Sequence, residues 1–187
     1  RPQWRDLPIL ANRFFHRGAQ HALMRTLPSM LTGSRNTPFQ FSSIFSGDRP
    51  LKGKVFGVTG GTKGIGEATV FLLAQLGASV ATFSRSAEQV ETLKALLHRA
   101  DVLVEAGDLG DKAFLDGFLN SIEARWGRLD GWVNNAMLNT LQTFDNETEE
   151  NFVRALEVNM LGPFRIAKRI APMLAASQGS IVNISSV

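Results

Sequence analysis

Lys54-Val-Phe-Gly-Val-Thr-Gly-Gly-Thr-Lys-Gly-Ile-Gly66 is the stretch whose reading decides the fold. Lys54 to Thr59 is a short, largely apolar run and reads as a buried strand. Glycines at 60, 61, 64 and 66 follow at once. Glu67 to Leu76 then shows a helical pattern, with Gly77 as a natural C-terminal cap. Strand, glycine loop and helix together make a unit able to seat a dinucleotide. Glycines let the backbone approach a pyrophosphate, and a helix N-terminus offers N–H groups and the positive end of its dipole. The candidate cofactor-binding residues here are Gly60, Thr62, Lys63, Gly64, Ile65 and Gly66.

Downstream, strands and helices alternate. Ala78 to Phe83 reads as a second strand and ends in Ser84-Arg85-Ser86. Arg85 lies nineteen residues past Gly66, where this kind of fold places an acid for a ribose 2′-hydroxyl or a cation for a 2′-phosphate. Here it is a cation, and Lys63 in the loop adds a second. Two cations and no acid favour NADP(H) over NAD(H). Ser84 and Arg85 therefore join the candidate cofactor residues. Ser86 with Gln89 has the pattern of a capping box for a helix through His98. Val102 to Glu105 is a third strand, followed by Asp108-Leu109. Asp111 is placed to cap a helix that runs to Trp126 and ends at Gly127. Leu129 to Val133 is a fourth strand, followed by Asn134-Asn135-Ala136. Thr148 opens a helical stretch to about Ala176, which Pro163 and Pro172 should bend or split. Ser180 to Ser185 is a fifth strand. The expected fold class is α/β, a doubly wound parallel sheet of five strands (the Rossmann arrangement).

Composition bounds the chemistry. The 187 residues are 44% hydrophobic, so a packed core is expected. There is no cysteine, which excludes disulfides and thiolate chemistry. His16, His21 and His98 are scattered without metal-ligand spacing, so no metal site is expected. No apolar run reaches the roughly 18 residues of a membrane span. The net charge of +3 is uneven. Residues 1–50 carry seven arginines and no lysine, against only Asp6 and Asp48, whereas residues 51–187 are slightly acidic. The chain thus divides into a basic arginine-rich extension, 1–50, and a globular part, 51–187. Within the extension, Ile9 to Leu27 has an amphipathic helical pattern broken at Gly18, and Thr32 to Asp48 reads as irregular chain. Three readings of it stay open: an ordered docking arm of a mature organellar protein, part of a targeting peptide, or an ordinary extension. An organelle, mitochondrion or plastid, is the expected location, with the cytoplasm as the alternative. The dispersed arginines do not make a nucleic-acid module.

Taken together, residues 51–187 resemble the short-chain dehydrogenase/reductase family. Thr59-Gly60-Gly61-Thr62-Lys63-Gly64-Ile65-Gly66 fits its TGxxxGIG loop. Asp108-Leu109 matches the pair whose acid contacts the adenine. Asn134-Asn135-Ala136 matches three positions of NNAG, bringing Asn135 and Ala136 into the cofactor set. Asn159 matches the helix asparagine of the family's proton relay. Ile181-Val-Asn-Ile-Ser-Ser186 matches the strand ending in the catalytic serine, with Ser186 in that place. The resemblance implies hydride transfer between NADP(H) and a small carbonyl or alcohol substrate, with Ser186 and Asn159 as the catalytic candidates. Lys63 and Arg85 resemble the NADPH-preferring members.

Two departures accompany the resemblance. Met137 stands where NNAG has its last glycine. The YxxxK pair of the family follows the serine strand, and this chain contains no tyrosine and stops at Val187. The expectation is a domain truncated before that motif, lacking the usual last strands and inactive or nearly so by itself. The strand at Ser180–Val187 would then be an edge, to be covered by further chain, by a protein partner or by the arm of residues 1–50. A non-catalytic accessory subunit of a larger organellar complex is the alternative to an oxidoreductase domain.

Overall fold

The computed structural model describes residues 49–140 and 142–185. The readings made for residues 1–48, and the serine at Ser186, lie outside the described residues. In chain order the elements are β1 (Val55–Thr59), α1 (Gly64–Gln75), β2 (Ser79–Ser84), α2 (Ala87–Leu96), β3 (Val102–Ala106), α3 (Lys112–Trp126) and β4 (Gly131–Asn134). A 3-10 turn (Phe144–Asn146) leads to α4 (Glu149–Leu156), a π-helical segment (Glu157–Leu161), α5 (Gly162–Ser177) and β5 (Ser180–Asn183). The five strands form one sheet in the order β3-β2-β1-β4-β5, and every pairing is parallel. This is the α/β doubly wound sheet expected from the alternation.

The core lies on both faces of the sheet, as a parallel sheet requires. Along β1, Val55, Gly57 and Thr59 point to one side, Phe56 and Val58 to the other. On the first side α3 and α5 pack Phe118, Leu119, Ile122, Ile166 and Ile170 around Trp132 and Phe83. Phe83 meets Phe114 and Phe118 edge-on, with ring centroids 5.1 and 5.0 Å away. A Cβ on Gly57 would collide with the Trp132 indole, so a residue without a side chain admits the largest one in this core. On the second side α1 and α2 contribute Val70, Val90 and Leu93 against Val58, Val80 and Val104.

Two local expectations change. Helix α1 begins at Gly64, inside the glycine loop, because Gly64 accepts a left-handed φ of 57° and turns the chain straight into the helix. The run from Thr148 is not split at its prolines. It widens into the π-segment just ahead of Pro163, which sits in the first turn of α5, and Pro172 lies inside α5. Pro163 has no N–H to offer the carbonyl four residues earlier, that of Asn159, so the α pattern shifts there to longer bonds. The Gly162 N–H accordingly donates to the Glu157 carbonyl.

β5 pairs with β4, Asn183 lying opposite Asn134. Ile181 packs on the core, whereas Val182 is 40% exposed. Among the described residues no helix is long and apolar enough to cross a membrane.

Candidate functional site

The strand order reverses between β1 and β4, the strands that open the two halves of the sheet. In open α/β sheets a crevice forms beyond the carboxyl ends of such a pair. The loops that close onto this crevice carry most of the residues singled out in the sequence: 60–66 after β1, 84–86 after β2, 107–110 after β3 and 135–138 after β4.

The glycine loop is held by close contacts that only glycine permits. A Cβ on Gly66 would strike the Gly60 carbonyl and lie 2.5 Å from the Asn135 side-chain nitrogen. A Cβ on Gly61 would strike the Thr82 hydroxyl, which accepts the Gly61 N–H at 3.1 Å. Gly60 has a left-handed φ of 70° and packs against Ala136. Gly64, by contrast, faces open space. Thr62 is buried and donates to the Gln89 side chain at 2.9 Å. The capping box is therefore only half formed. Ser86 accepts the Gln89 N–H at 3.3 Å, but the Gln89 side chain turns to Thr62 rather than back to Ser86. The stronger demand is the buried Thr62 hydroxyl, which needs an acceptor.

Helices α2, α3 and α4 are capped by Ser86, Asp111 and Thr148, whereas α1 begins without a side-chain cap. Its leading N–H groups face the crevice end of β1, and Ile65 beside them is 58% exposed. Lys63 and Arg85 are both exposed on the same rim. Glycines that bring backbone to the surface, an uncapped helix start and flanking cations fit a phosphate-bearing dinucleotide.

Asn135 and Ala136 serve the site through the loop rather than by free side-chain groups. The Thr59 hydroxyl accepts the N–H of Asn135 at 3.0 Å and of Ala136 at 2.9 Å. The Asn135 side-chain amide donates back to the carbonyls of Thr59 and Gly60. Thr59 is fully buried and couples the two loops, a role not assigned to it from sequence although it opens the TGxxxGIG motif. Asn134 accepts from the Trp132 indole at 2.9 Å and donates to Asn183 at 2.8 Å, so it ties β4 to β5. Met137 is 64% exposed and its φ is not left-handed, so this backbone accepts a side chain without strain.

Asn159 lies in the π-segment. Its side-chain oxygen accepts the Leu138 N–H and its side-chain nitrogen donates to the Leu138 carbonyl, both at 2.8 Å. Both polar ends are engaged, so the side chain clamps the loop after Ala136. Leu109 is buried against Gly162, and it offers the crevice no side chain. Asp108 is more available but not free. It accepts the Gly110 N–H at 2.7 Å and is ion-paired with Arg154. Partial burial acts to raise its pKa, but the Gly110 N–H, Arg154 and the nearby charge of Arg85 hold it below the ordinary carboxylate value. Arg154 carried no signal in sequence, because a helical arginine is ordinarily a solvated one.

The opposite end of the sheet is structural. There Asp130 accepts the Val55 N–H and binds Lys54 and Arg128. A hollow of about 340 Å³, lined by Arg128, Pro172 and Met173 among others, lies at this end and not by the glycine loop.

The model of the family described as short chain dehydrogenase matches residues 54–187. The chain belongs to the short-chain dehydrogenase family. It is 33% identical to the 3-oxoacyl-[acyl-carrier-protein] reductase of Thermotoga maritima over 73% of this chain and 57% of that protein. It is 37% identical to a tropinone reductase homolog of Arabidopsis thaliana, over 73% of this chain and 53% of that one. Among solved structures, a short-chain dehydrogenase/reductase mutant of Serratia marcescens superposes with a TM-score of 0.68 at 33% identity, covering 74% of this chain and 57% of that one. An alcohol dehydrogenase from Thermococcus sibiricus, solved with 5-hydroxy-NADP, gives 0.65 at 29% identity, covering 70% of this chain and 57% of that chain. The chain thus spans a little over half the length of these relatives. Members of this short-chain dehydrogenase family bind a nicotinamide dinucleotide.

Proposed function

We propose that this chain is the cofactor-binding part of an NADP(H)-dependent oxidoreductase acting on a small carbonyl or alcohol substrate. The carrying observation is the uncapped start of α1 behind a close-packed glycine loop, with Lys63 and Arg85 exposed beside it. A bound dinucleotide would supply the hydride for a carbonyl carbon. The chain's own residues hold and orient it. Gly60, Gly64 and Gly66 let the backbone come close, the first N–H groups of α1 meet the pyrophosphate, and Lys63 and Arg85 face a 2′-phosphate. Asp108 meets the adenine edge. Thr59, Asn135 and Asn159 keep the glycine loop and the loop after β4 in register. Ser186 steadies the substrate oxygen by family resemblance. The 187 residues contain no tyrosine, so the family's tyrosine proton donor is not among them.

A second reading is a non-catalytic accessory subunit of an organellar complex. It is favoured by the apolar surface of α4, the π-segment and α5, where Phe152, Met160 and Phe164 are each more than half exposed. The arginine-rich extension supports the organellar address.

One experiment tests both readings. Fluorescence titration of the full-length protein with NADPH and NADH should show binding, with NADPH at least tenfold tighter, the scale of one good charge-assisted contact to phosphate. Oxidation of NADPH with a carbonyl panel should follow. Absence of NADPH binding overturns the oxidoreductase reading. Turnover by a purified, partner-free protein overturns the accessory reading.

A further inference from the structure

Arg85 and Asp108 are neighbours by topology. Ser84 and Ala106 are register partners on β2 and β3, and the Gly107 N–H donates to the Ser84 carbonyl at 2.9 Å. The residues that follow, Arg85 and Asp108, therefore leave the sheet side by side at the same rim. An exposed arginine next to an ionised carboxylate would ordinarily pair with it. Here it does not. Arg85 makes no ion pair among the described residues, and the carboxylate is engaged elsewhere.

Both oxygens of Asp108 have a partner. Oδ1 accepts the Gly110 N–H at 2.7 Å, and Oδ2 is ion-paired with Arg154 from α4. The fold makes room for that contact, because a Cβ on Gly110 would collide with the Arg154 guanidinium. The same helical run grips the loop at two further points. Gly162 lies flat against Leu109, and Arg165 donates to the Gly110 carbonyl at 3.4 Å. Glu157 steadies Arg154 from the other side at 3.4 Å. Arg154 is thus built into the loop rather than resting on it.

We infer that Arg154 is a specificity-determining positioning residue, which holds Asp108 away from Arg85 and so leaves the Arg85 guanidinium free for a 2′-phosphate. The inference rests on the NADP(H) reading above and assigns its selectivity to a residue that reaches the phosphate only through Asp108. Without Arg154, Asp108 turns to the nearest cation, and the phosphate must compete with a carboxylate for Arg85. NADH has no 2′-phosphate, so its affinity should be indifferent to that competition. A merely structural role would weaken both cofactors alike.

The test is a comparison of dissociation constants for NADPH and NADH, by fluorescence titration, in the full-length wild type, Arg154→Gln, Arg154→Lys, Asp108→Asn and the Arg154→Gln/Asp108→Asn double variant. Urea denaturation of each checks that the variants fold. In Arg154→Gln, NADPH affinity should fall on the order of fivefold further than NADH affinity, the scale of one partly screened ion pair, because any loss of the Asp108 contact to adenine is common to both cofactors. Arg154→Lys should recover part of the loss. In the Asp108→Asn background, Arg154→Gln should no longer alter the NADPH-to-NADH ratio, because no carboxylate remains to compete. Equal weakening of both cofactors, or an unchanged ratio in Arg154→Gln, overturns the inference while the NADP(H) reading stands. A wild type without NADPH preference overturns that reading and this inference with it. Should Arg154→Gln fail to fold, the Arg154→Lys variant and the Asp108→Asn pair of ratios decide the matter.

Discussion

Two glycines of the same loop show how differently single residues can be required. Gly66 has no room for a methyl group, because the Gly60 carbonyl and the Asn135 amide already occupy the space. Backbone cannot give way as a flexible side chain can. Gly66→Ala should therefore cost about 1–3 kcal/mol in urea denaturation and weaken NADPH by more than tenfold, since the loop itself must shift. Gly64 is required for another reason, its φ of 57°, and nothing lies near its missing Cβ. Gly64→Ala should cost only the left-handed strain, about 1 kcal/mol. A wild-type-like Gly66→Ala protein would refute the close-packing account. The glycine pattern was plain in the sequence, but not which glycine was needed for space and which for torsion. Space depends on Asn135, which arrives from residues far along the chain.

At the scale of elements, the helical run from Glu149 to Ser177 does more than cover the sheet. Arg154, Asn159 and Gly162 come from its α4, π and α5 parts, and together they grip the loops after β3 and β4. The π-segment adds a residue to the turn just before Pro163 and so sets the phase between these contacts. Asn159→Ala removes both hydrogen bonds to Leu138. It should cost about 1–2 kcal/mol, and hydrogen exchange at the Leu138 amide should speed up well ahead of exchange in β1. Unchanged protection at Leu138 would show that the clamp contributes nothing. Helix and proline were both legible in the sequence. The π-widening was not, because the pattern of apolar residues shows that a helix exists and not which carbonyl each N–H finds.

At the largest scale described, the sheet separates a working end from an anchoring end. The carboxyl ends of the strands carry the loops of the candidate site. At the amino ends, Asp130 is buried and joins β1, β4 and the turn before β4 through Val55, Lys54 and Arg128. Burial works against its charge, but the Arg128 guanidinium, the Val55 N–H and Lys54 outweigh it and lower its pKa to about 2. The unfolded value is about 3.9. Because the folded value is depressed, the stabilisation is complete above about pH 4 and is lost as the pH falls towards about 2. The shift corresponds to about 2–3 kcal/mol. Asp130→Asn should be less stable than wild type by that amount at pH 7, and the gap should close near pH 2; a gap independent of pH would dismiss the charge as its cause. Asp130 was not singled out in the sequence, since an acid two residues after an arginine looks like any solvated pair until burial is known. What the residue order alone determined is the alternation of strands and helices, the glycine loop and the cations that follow β1 and β2. Those signals are local: periodicity, torsional freedom and charge act within a few residues. Only the tertiary structure decided that Thr59 would bind the loop after β4, that Asn159 would clamp Leu138, and that Arg154 would occupy Asp108 beside an unpaired Arg85. Those contacts join residues between 21 and 77 positions apart, and a distance of that kind closes only when the sheet has set its register.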